Sequence, residues 1–230
     1  QDKKTKVGVL RIPSKLDGYK VTSIGKLAFK AAKFSDYHKY GKYFADWDVV
    51  EYDSLWDYWA KRKYDGLLRF KKIIVPKTVK TIGKQAFKNC CKAKEIVLPD
   101  SIETIGEGAF SGCCALKSIN LSDKISAIEK STFAYCRSLY SVKIPSSVTK
   151  IGEKAFNNSA IKSIVVPDSV KDIGEKVFKN CELLTSAIVP YLTDYMFYYC
   201  VKLKKINVTT DITTINRCAF YDCHSLNTFD

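Results

Sequence analysis

The sequence predicts an α/β solenoid, with one short β-strand per repeat and one helical or 3₁₀ turn per repeat on the outer side. Two observations carry the prediction. A unit of the form I-G-x-x-A-F-x-x-C recurs, with its order intact, through most of the 230 residues. The copies are followed by a run of the form L-x-x-I-x-L-P, as in Leu116–Leu121 or Leu139–Pro145, whose alternation suits a strand with one buried face. Self-similarity at a fixed period marks a repeat architecture, in which a unit buries its apolar side only against its neighbours.

Aligned on the phenylalanine, the copies fall at Phe87, Phe110, Phe133, Phe156, Phe178, Phe197 and Phe220, spaced 23, 23, 23, 22, 19 and 23 residues, with an earlier unit around Phe29. Residues 79–99 read VKTIGKQAFKNCCKAKEIVLP, and residues 102–121 read IETIGEGAFSGCCALKSINL. The copy at 192–208 is shortened and has lost the I-G corner, and residues 212–229 close the series. In three copies Pro145, Pro167 and Pro190 stop the strand, because proline cannot donate to a ladder. The next apolar pair, such as Val148 and Ile151, turns back into the core, and Gly152 supplies the freedom for the corner. A-F-x-x-C is too short for a full helix, so a single helical or 3₁₀ turn is expected there. At a strand spacing of about 4.8 Å, seven or eight rungs make a stack on the order of 35 Å long.

These residues resemble the BspA-type leucine-rich repeat family, over about residues 7–29 and 69–230. The match rests on I-P-x-x-V-x-x-I-G-x-x-A-F-x-x-C-x-x-L-x-x-I-x-L-P, and the opening run IPSKLDGYKVTSIGKLAF looks like a first repeat of that family. The resemblance implies a right-handed leucine-rich-repeat solenoid with its short parallel strands on the concave face. It also implies a microbial protein that is secreted or exposed on the cell surface and adheres to a host or partner protein. The domain expected is a single solenoid over 1–230, its first repeat (7–29) interrupted by an insertion at 30–68 and its remaining repeats at 69–230. The shortened copy departs from the family frame around Tyr191–Phe197.

The insertion holds all three tryptophans, Trp47, Trp56 and Trp59, together with Tyr37, Tyr40, Tyr43, Tyr52, Tyr58 and Tyr64. Insertions in solenoids map to loops on one face, often the binding face. Rigid amphipathic rings suit either a protein-contact surface or a small subcore that covers the open end of the stack.

The net charge of +14 is spread rather than gathered in a tail: +5 over residues 1–29, zero over 30–68 and +9 over 69–230. Such an excess attracts polyanions, either glycosaminoglycan or nucleic acid, and equally keeps a large surface soluble. No DNA- or RNA-binding module signature accompanies it. No run of eighteen apolar residues occurs, so no membrane-spanning helix is expected. Neither an initiator Met nor a basic-then-apolar leader opens the chain at Gln1, which implies a removed signal peptide or an excised fragment.

Six of the nine cysteines share one repeat position, Cys90, Cys113, Cys136, Cys181, Cys200 and Cys223, with Ser159 in the remaining full copy. A column of this kind is a packing position, since free cysteine behaves as a small buried hydrophobe. Unpaired cysteines fit export less comfortably, although burial protects them. Cys91 and Cys114 occupy equivalent sites on adjacent rungs, with Cα atoms about 5 Å apart, within disulfide reach, while parallel side-chain directions oppose closure. Paired C-x-x-C zinc knuckles are lacking. His38 and His224 have no nucleophile or carboxylate at a motif spacing, and no P-loop, G-x-G-x-x-G or H-E-x-x-H occurs. No cofactor, metal site or catalytic residue is therefore expected.

In a strand L-x-x-I-x-L the residues flanking the central Ile point outward. One outward column reads Ile74, Val97, Asn120, Lys143, Val165, Ile188 and Asn207, and the other reads Lys72, Glu95, Ser118, Ser141, Ser163, Ser186, Lys205 and Thr228. Four β-branched aliphatics in the first column, rimmed by Ser and Lys, make the expected groove for a protein or peptide, with Trp47, Trp56 and Trp59 as the second expected contact surface. The function expected is that of a non-catalytic binding and adhesion module; a polyanion binder driven by the basic repeats is the alternative.

Overall fold

A computed structural model describes residues 9–16, 19–26, 28, 70–211 and 213–229. The backbone winds as a stack of rungs joined by three hydrogen-bonded ladders. The first carries the strands Val9–Arg11, Lys72–Ile74, Glu95–Val97, Ser118–Ile119, Ser141–Val142, Ser163–Val165, Ser186–Val189, Lys205–Val208 and Thr228–Phe229. Pairing is parallel, and each central apolar residue sits beside its counterpart on the next rung: Leu10 on Ile73, Ile73 on Ile96, Ile119 on Val142, Ile164 on Ala187, Ala187 on Ile206. A short antiparallel pair, Lys15–Leu16 with Tyr19–Lys20, decorates the first rung.

A second parallel ladder lies where the sequence indicated only an apolar pair. It consists of Ser23–Ile24, Thr81–Ile82, Thr104–Ile105, Ala127–Ile128, Lys150–Ile151 and Asp172–Ile173, and each strand buries its isoleucine. The expected corner role of the following glycine is corrected here. Gly83, Gly106, Gly152 and Gly174 do not need left-handed backbone. They sit against the previous rung: a Cβ on Gly83 would come within 2.6 Å of the Lys26 amide nitrogen, and one on Gly106 within 2.6 Å of that of Lys84. Close backbone approach, rather than conformational freedom, selects glycine there.

The outer side is the main departure from expectation. Among the described residues it contains no helix, neither α nor 3₁₀. Each A-F-x-x-C segment is a chain of β-turns with two residues of positive φ, placed two before and two after the phenylalanine. Gln85 (56°) and Asn89 (63°), Lys154 (58°) and Asn158 (57°), and Lys176 (59°) and Asn180 (59°) are examples, with Gly108 (61°) and Gly112 (74°) in the same two positions. A left-handed residue every fourth position ends any helix. Alternate amides bond within the rung, as in Ala86 N–H to Gly83 O (3.2 Å) and Lys88 N–H to Gln85 O (3.1 Å). The amides between them reach across to the next rung: Gln85 to Glu107 O (2.8 Å), Phe87 to Ala109 O (2.8 Å), Asn89 to Ser111 O (2.8 Å). The same cross-rung bond recurs at Phe110, Phe133, Phe156, Phe178 and Phe197, so the turns form a third ladder.

Between the ladders runs one hydrophobic cluster from Leu10 to Ile206. Its axis is a column of phenylalanine rings, from Phe87 to Phe220, with centroids 5.4–5.7 Å apart and planes within 13° of parallel. Charged side chains on neighbouring rungs pair outside: Lys72 with Glu95 (2.6 Å), Lys80 with Glu103 (2.9 Å), Lys84 with Glu107 (2.6 Å) and Lys150 with Asp172 (3.2 Å).

The shortened copy keeps the stack closed by a side-chain substitution. Its missing second-ladder strand would have satisfied the Asp172–Ile173 edge. The Tyr191 hydroxyl does so instead, accepting from the Ile173 amide (2.8 Å) and donating to the Lys171 carbonyl (3.0 Å). Thr193 Oγ1 adds a bond to the Gly174 carbonyl (3.0 Å). Half-burial raises the Tyr191 hydroxyl pKa.

Candidate functional site

The two outward columns of the first ladder face solvent as their alternation requires. Val97, Val165 and Ile188 are 36%, 58% and 38% exposed, and Asn120 and Lys143 are exposed as well. Ile74 and Asn207 are half-buried, so the exposed aliphatics number three rather than four. Register places Ile74 beside Val97, Val165 beside Ile188, and Ile188 beside Asn207. The strip therefore divides into two apolar patches, with Asn120 and Lys143 between them. The first patch opens onto a shallow hollow of about 710 Å³, walled by Ile74, Val97, Pro76 and Pro99 and edged by Lys77 and Lys124. Beside the strip, Ser118, Ser141 and Ser163 are exposed and Ser186 half-buried. Small side chains there leave the strip accessible.

Trp47, Trp56 and Trp59, together with the rest of the 30–68 insertion and Phe29, lie outside the described residues. Among the described residues there is a second aromatic surface that the repeat reading missed. In the shortened copy and the one after it, the outer turns carry Tyr195, Tyr198, Tyr199 and Tyr221 in place of the usual Lys and Asn. The Tyr198 and Tyr221 rings stack at 4.8 Å, and Tyr199 lies 5.0 Å from Tyr198. Lys179 Nζ sits 4.3 Å above the Tyr198 ring, while Arg217 and Lys176 approach Tyr195 at 5.0 and 5.2 Å. A hydrogen bond and charge from Asp222 raise the Tyr199 hydroxyl pKa. The signal was legible: D-Y-M-F-Y-Y-C stands where other copies have residues such as K-Q-A-F-K-N-C.

The cysteine column has a polar role in addition to packing. Five of its six thiols donate to the phenylalanine carbonyl of an adjoining rung: Cys113 to Phe87 (3.2 Å), Cys136 to Phe110 (3.2 Å), Cys181 to Phe156 (3.2 Å), Cys200 to Phe178 (3.1 Å) and Cys223 to Phe197 (3.1 Å). A small side chain carrying one donor explains why Ser159 can stand in the same column, 3.3 Å from Cys181 Sγ. Burial pushes the Cys181 thiol up to about 11. Cys91 and Cys114 are half-buried thiols with sulfurs 3.5 Å apart, both directed at the Gly112 carbonyl (3.1 and 3.2 Å). Among the described residues no three His, Cys, Asp or Glu side chains form a group able to hold a metal ion.

The BspA type leucine-rich repeat region, in six copies, matches residues 61–185 and 187–230. The chain belongs to the BspA-type leucine-rich repeat family. A leucine-rich repeat protein from Bacteroides ovatus has a similar crystal structure, with 27% identity and a TM-score of 0.66, covering 97% of this chain and 60% of that one. This BspA-type chain thus spans less than two thirds of that relative. The Treponema pallidum leucine-rich repeat protein (22% identity, TM-score 0.52, 96% of this chain and 78% of that one) shares the fold. So does a leucine-rich cell surface protein from Faecalibacterium prausnitzii (20% identity, TM-score 0.56, 96% and 69%). No curated protein sequence matches the chain. Among the described residues no helix is long and apolar enough to cross a membrane.

Proposed function

We propose that this chain is a non-catalytic protein-binding module of a secreted or surface-exposed protein, a single solenoid over 1–230 that captures a host or extracellular-matrix protein. The observation that carries the reading is the row of Val97, Val165 and Ile188, exposed at 36–58% on a rigid ladder whose neighbouring column carries Ser118, Ser141, Ser163 and Ser186. Aliphatic side chains held in fixed register cost little ordering entropy when a partner covers them, which favours affinity. The hollow beside Ile74 and Val97 gives one partner side chain a place to seat. The aromatic insertion, through Trp47, Trp56 and Trp59, supplies a second contact on the same reading. The similar protein from F. prausnitzii is named a cell surface protein, and the family membership with that name is in keeping with the location proposed here.

The test uses the full chain immobilised against a panel of purified matrix and serum proteins. The expected result is saturable capture of at least one. The triple variant Val97→Ala, Val165→Ala, Ile188→Ala should lose it while its circular dichroism and melting stay unchanged, and Trp47→Ala, Trp56→Ala, Trp59→Ala should weaken it. Capture unchanged by the first variant removes the strand face from the proposal, and capture unchanged by both removes the proposal.

A further inference from the structure

Part of the surface charge of this stack is paired between rungs. On the ladder flanks, a lysine on one rung meets a carboxylate on the next: Lys72 with Glu95, Lys80 with Glu103, Lys84 with Glu107, Lys150 with Asp172. A column without such pairs is the position just before the seven first-ladder strands from Lys72–Ile74 to Lys205–Val208, occupied by Lys71, Lys94, Lys117, Tyr140, Lys162, Thr185 and Lys204. This column is a continuous backbone ladder. Lys94 N–H donates to Lys71 O (2.8 Å), Lys117 to Lys94 O (3.3 Å), Tyr140 to Lys117 O (3.1 Å), Lys162 to Tyr140 O (3.2 Å), Thr185 to Lys162 O (2.8 Å) and Lys204 to Thr185 O (2.9 Å). All seven side chains are exposed.

The column holds no acid. Among the described residues no carboxylate lies within ion-pair distance of Lys94, Lys117, Lys162 or Lys204. The nearest acid in sequence, Glu95, is held by Lys72. Like charges opposite one another on paired strands are destabilising. On a protein that pairs Lys72 with Glu95 beside this row and pairs further charges along the second ladder, a row of like charges suits a counter-charge from outside. The row has a rung repeat of about 4.8 Å. That repeat is close to the rise of one sugar ring along an extended glycan. Ser118, Ser141, Ser163 and Ser186 run beside it and offer hydroxyls to sugar hydroxyls. A single-stranded nucleic acid would instead call for a row of rings on which bases stack. Only Tyr140 stands in the column, and Lys162 Nζ lies 5.9 Å from its ring centroid.

We propose that this lysine column is a binding track for a linear anionic polysaccharide lying parallel to the solenoid axis. It goes beyond the protein-binding reading and does not depend on the Val97, Val165 and Ile188 strip. The experiment titrates the full chain with a heparin oligosaccharide, with hyaluronan and with single-stranded DNA of matched length, at several salt concentrations. Two variants with equal charge loss are compared: Lys94→Gln, Lys117→Gln, Lys162→Gln in the column, and Lys20→Gln, Lys26→Gln, Lys171→Gln off it. The column variant should lose about tenfold or more in glycan affinity, and its log–log salt slope should fall by about 3, near one per lysine removed. The off-column variant should stay within about threefold, because screened distant charges contribute little. Preference for heparin over hyaluronan assigns the track to sulfates, and the reverse assigns it to carboxylates. Absent glycan binding, equal losses in the two variants, or tighter binding of DNA than of either glycan overturns the proposal. A column variant that melts below the wild type overturns it too, since relief of like-charge repulsion should leave melting unchanged or raise it.

Discussion

Phe133 lies mid-stack in the phenylalanine column, and its truncation is the sharpest test of the architecture. The ring is wholly buried and stacks on Phe110 at 5.5 Å and on Phe156 at 5.4 Å. Cutting a fully buried Phe to Ala costs about 3–5 kcal/mol, from lost transfer free energy and from the cavity left. Neighbouring rungs held by backbone ladders on both sides collapse poorly into that cavity, and two offset ring contacts are lost, so Phe133→Ala should fall near the top, at about 4–5 kcal/mol. Phe220 is half-buried at the last described turn, with Phe197 stacked at 5.7 Å on one side and Phe229 edge-on at 5.7 Å. Phe220→Ala should cost only about 1.5–2 kcal/mol. Urea unfolding followed by far-UV circular dichroism gives both numbers, and tryptophan fluorescence reports separately, because every Trp lies in residues 30–68. Repeat arrays can lose two-state behaviour, so the comparison holds only where the two probes coincide and m is unchanged. A Phe133→Ala cost below about 2 kcal/mol, or a Phe220→Ala cost as large as that of Phe133→Ala, would refute the column as the stabilising axis.

Tyr191→Phe keeps the ring and removes the hydroxyl, leaving the Ile173 amide and Lys171 carbonyl unpaired; stability should fall by about 1–2 kcal/mol and the Ile173 amide should exchange faster. Unaltered exchange at Ile173 would contradict the substitution of hydroxyl for strand. Glu153 is held at about 2 by hydrogen bonds from Lys130 and then Lys154. Its folded value is depressed, so its contribution is present above the ordinary carboxylate range and fades as pH falls from about 5 towards 2; being half-exposed, it amounts to less than about 1 kcal/mol. Glu153→Gln should therefore be less stable than wild type at pH 6 and equal to it at pH 2, as measured by melting. In thiol labelling under native conditions, exposed Cys218 should react first, the half-buried Cys91 and Cys114 later, and Cys113, Cys136, Cys181 and Cys200 only on unfolding. Early modification of Cys136 in peptide mapping would count against the buried column.

The stack was legible because Phe, Cys and the strand aliphatics recur with fixed spacing, and a fixed spacing in a solenoid is a contact. What the spacing could not convey was backbone conformation between the fixed points. A-F-x-x-C has a helix-like ring of residue types, yet Asn89, Asn158, Asn180 and Asp222 stand at the left-handed position. Asn and Asp are the residues most at home there, so the signal was local and present. The second ladder was hidden because two-residue strands are too short to show alternation. The role of Gly83 and Gly106 depends on a neighbouring rung's backbone, which no single repeat reveals. The strand-face column emerged in its expected order, with Ile74 and Asn207 less exposed than expected. The tyrosine surface and the lysine column lie outside the apolar frame, which is set by packing and carries no information on exposed side chains.

One hydroxyl has a mechanical consequence. Up to Ile173 the described rungs are joined by three ladders; past Tyr191 the second ladder has ended and two remain. The solenoid therefore changes construction along its length, like a rope that loses a strand. Tension applied along the axis should part first on the Tyr191 side, where fewer cross-rung bonds share the force. Tyr191 acts there as a splice, allowing a repeat to be shortened without the exposed edge of the discontinued ladder unravelling into the rungs before it.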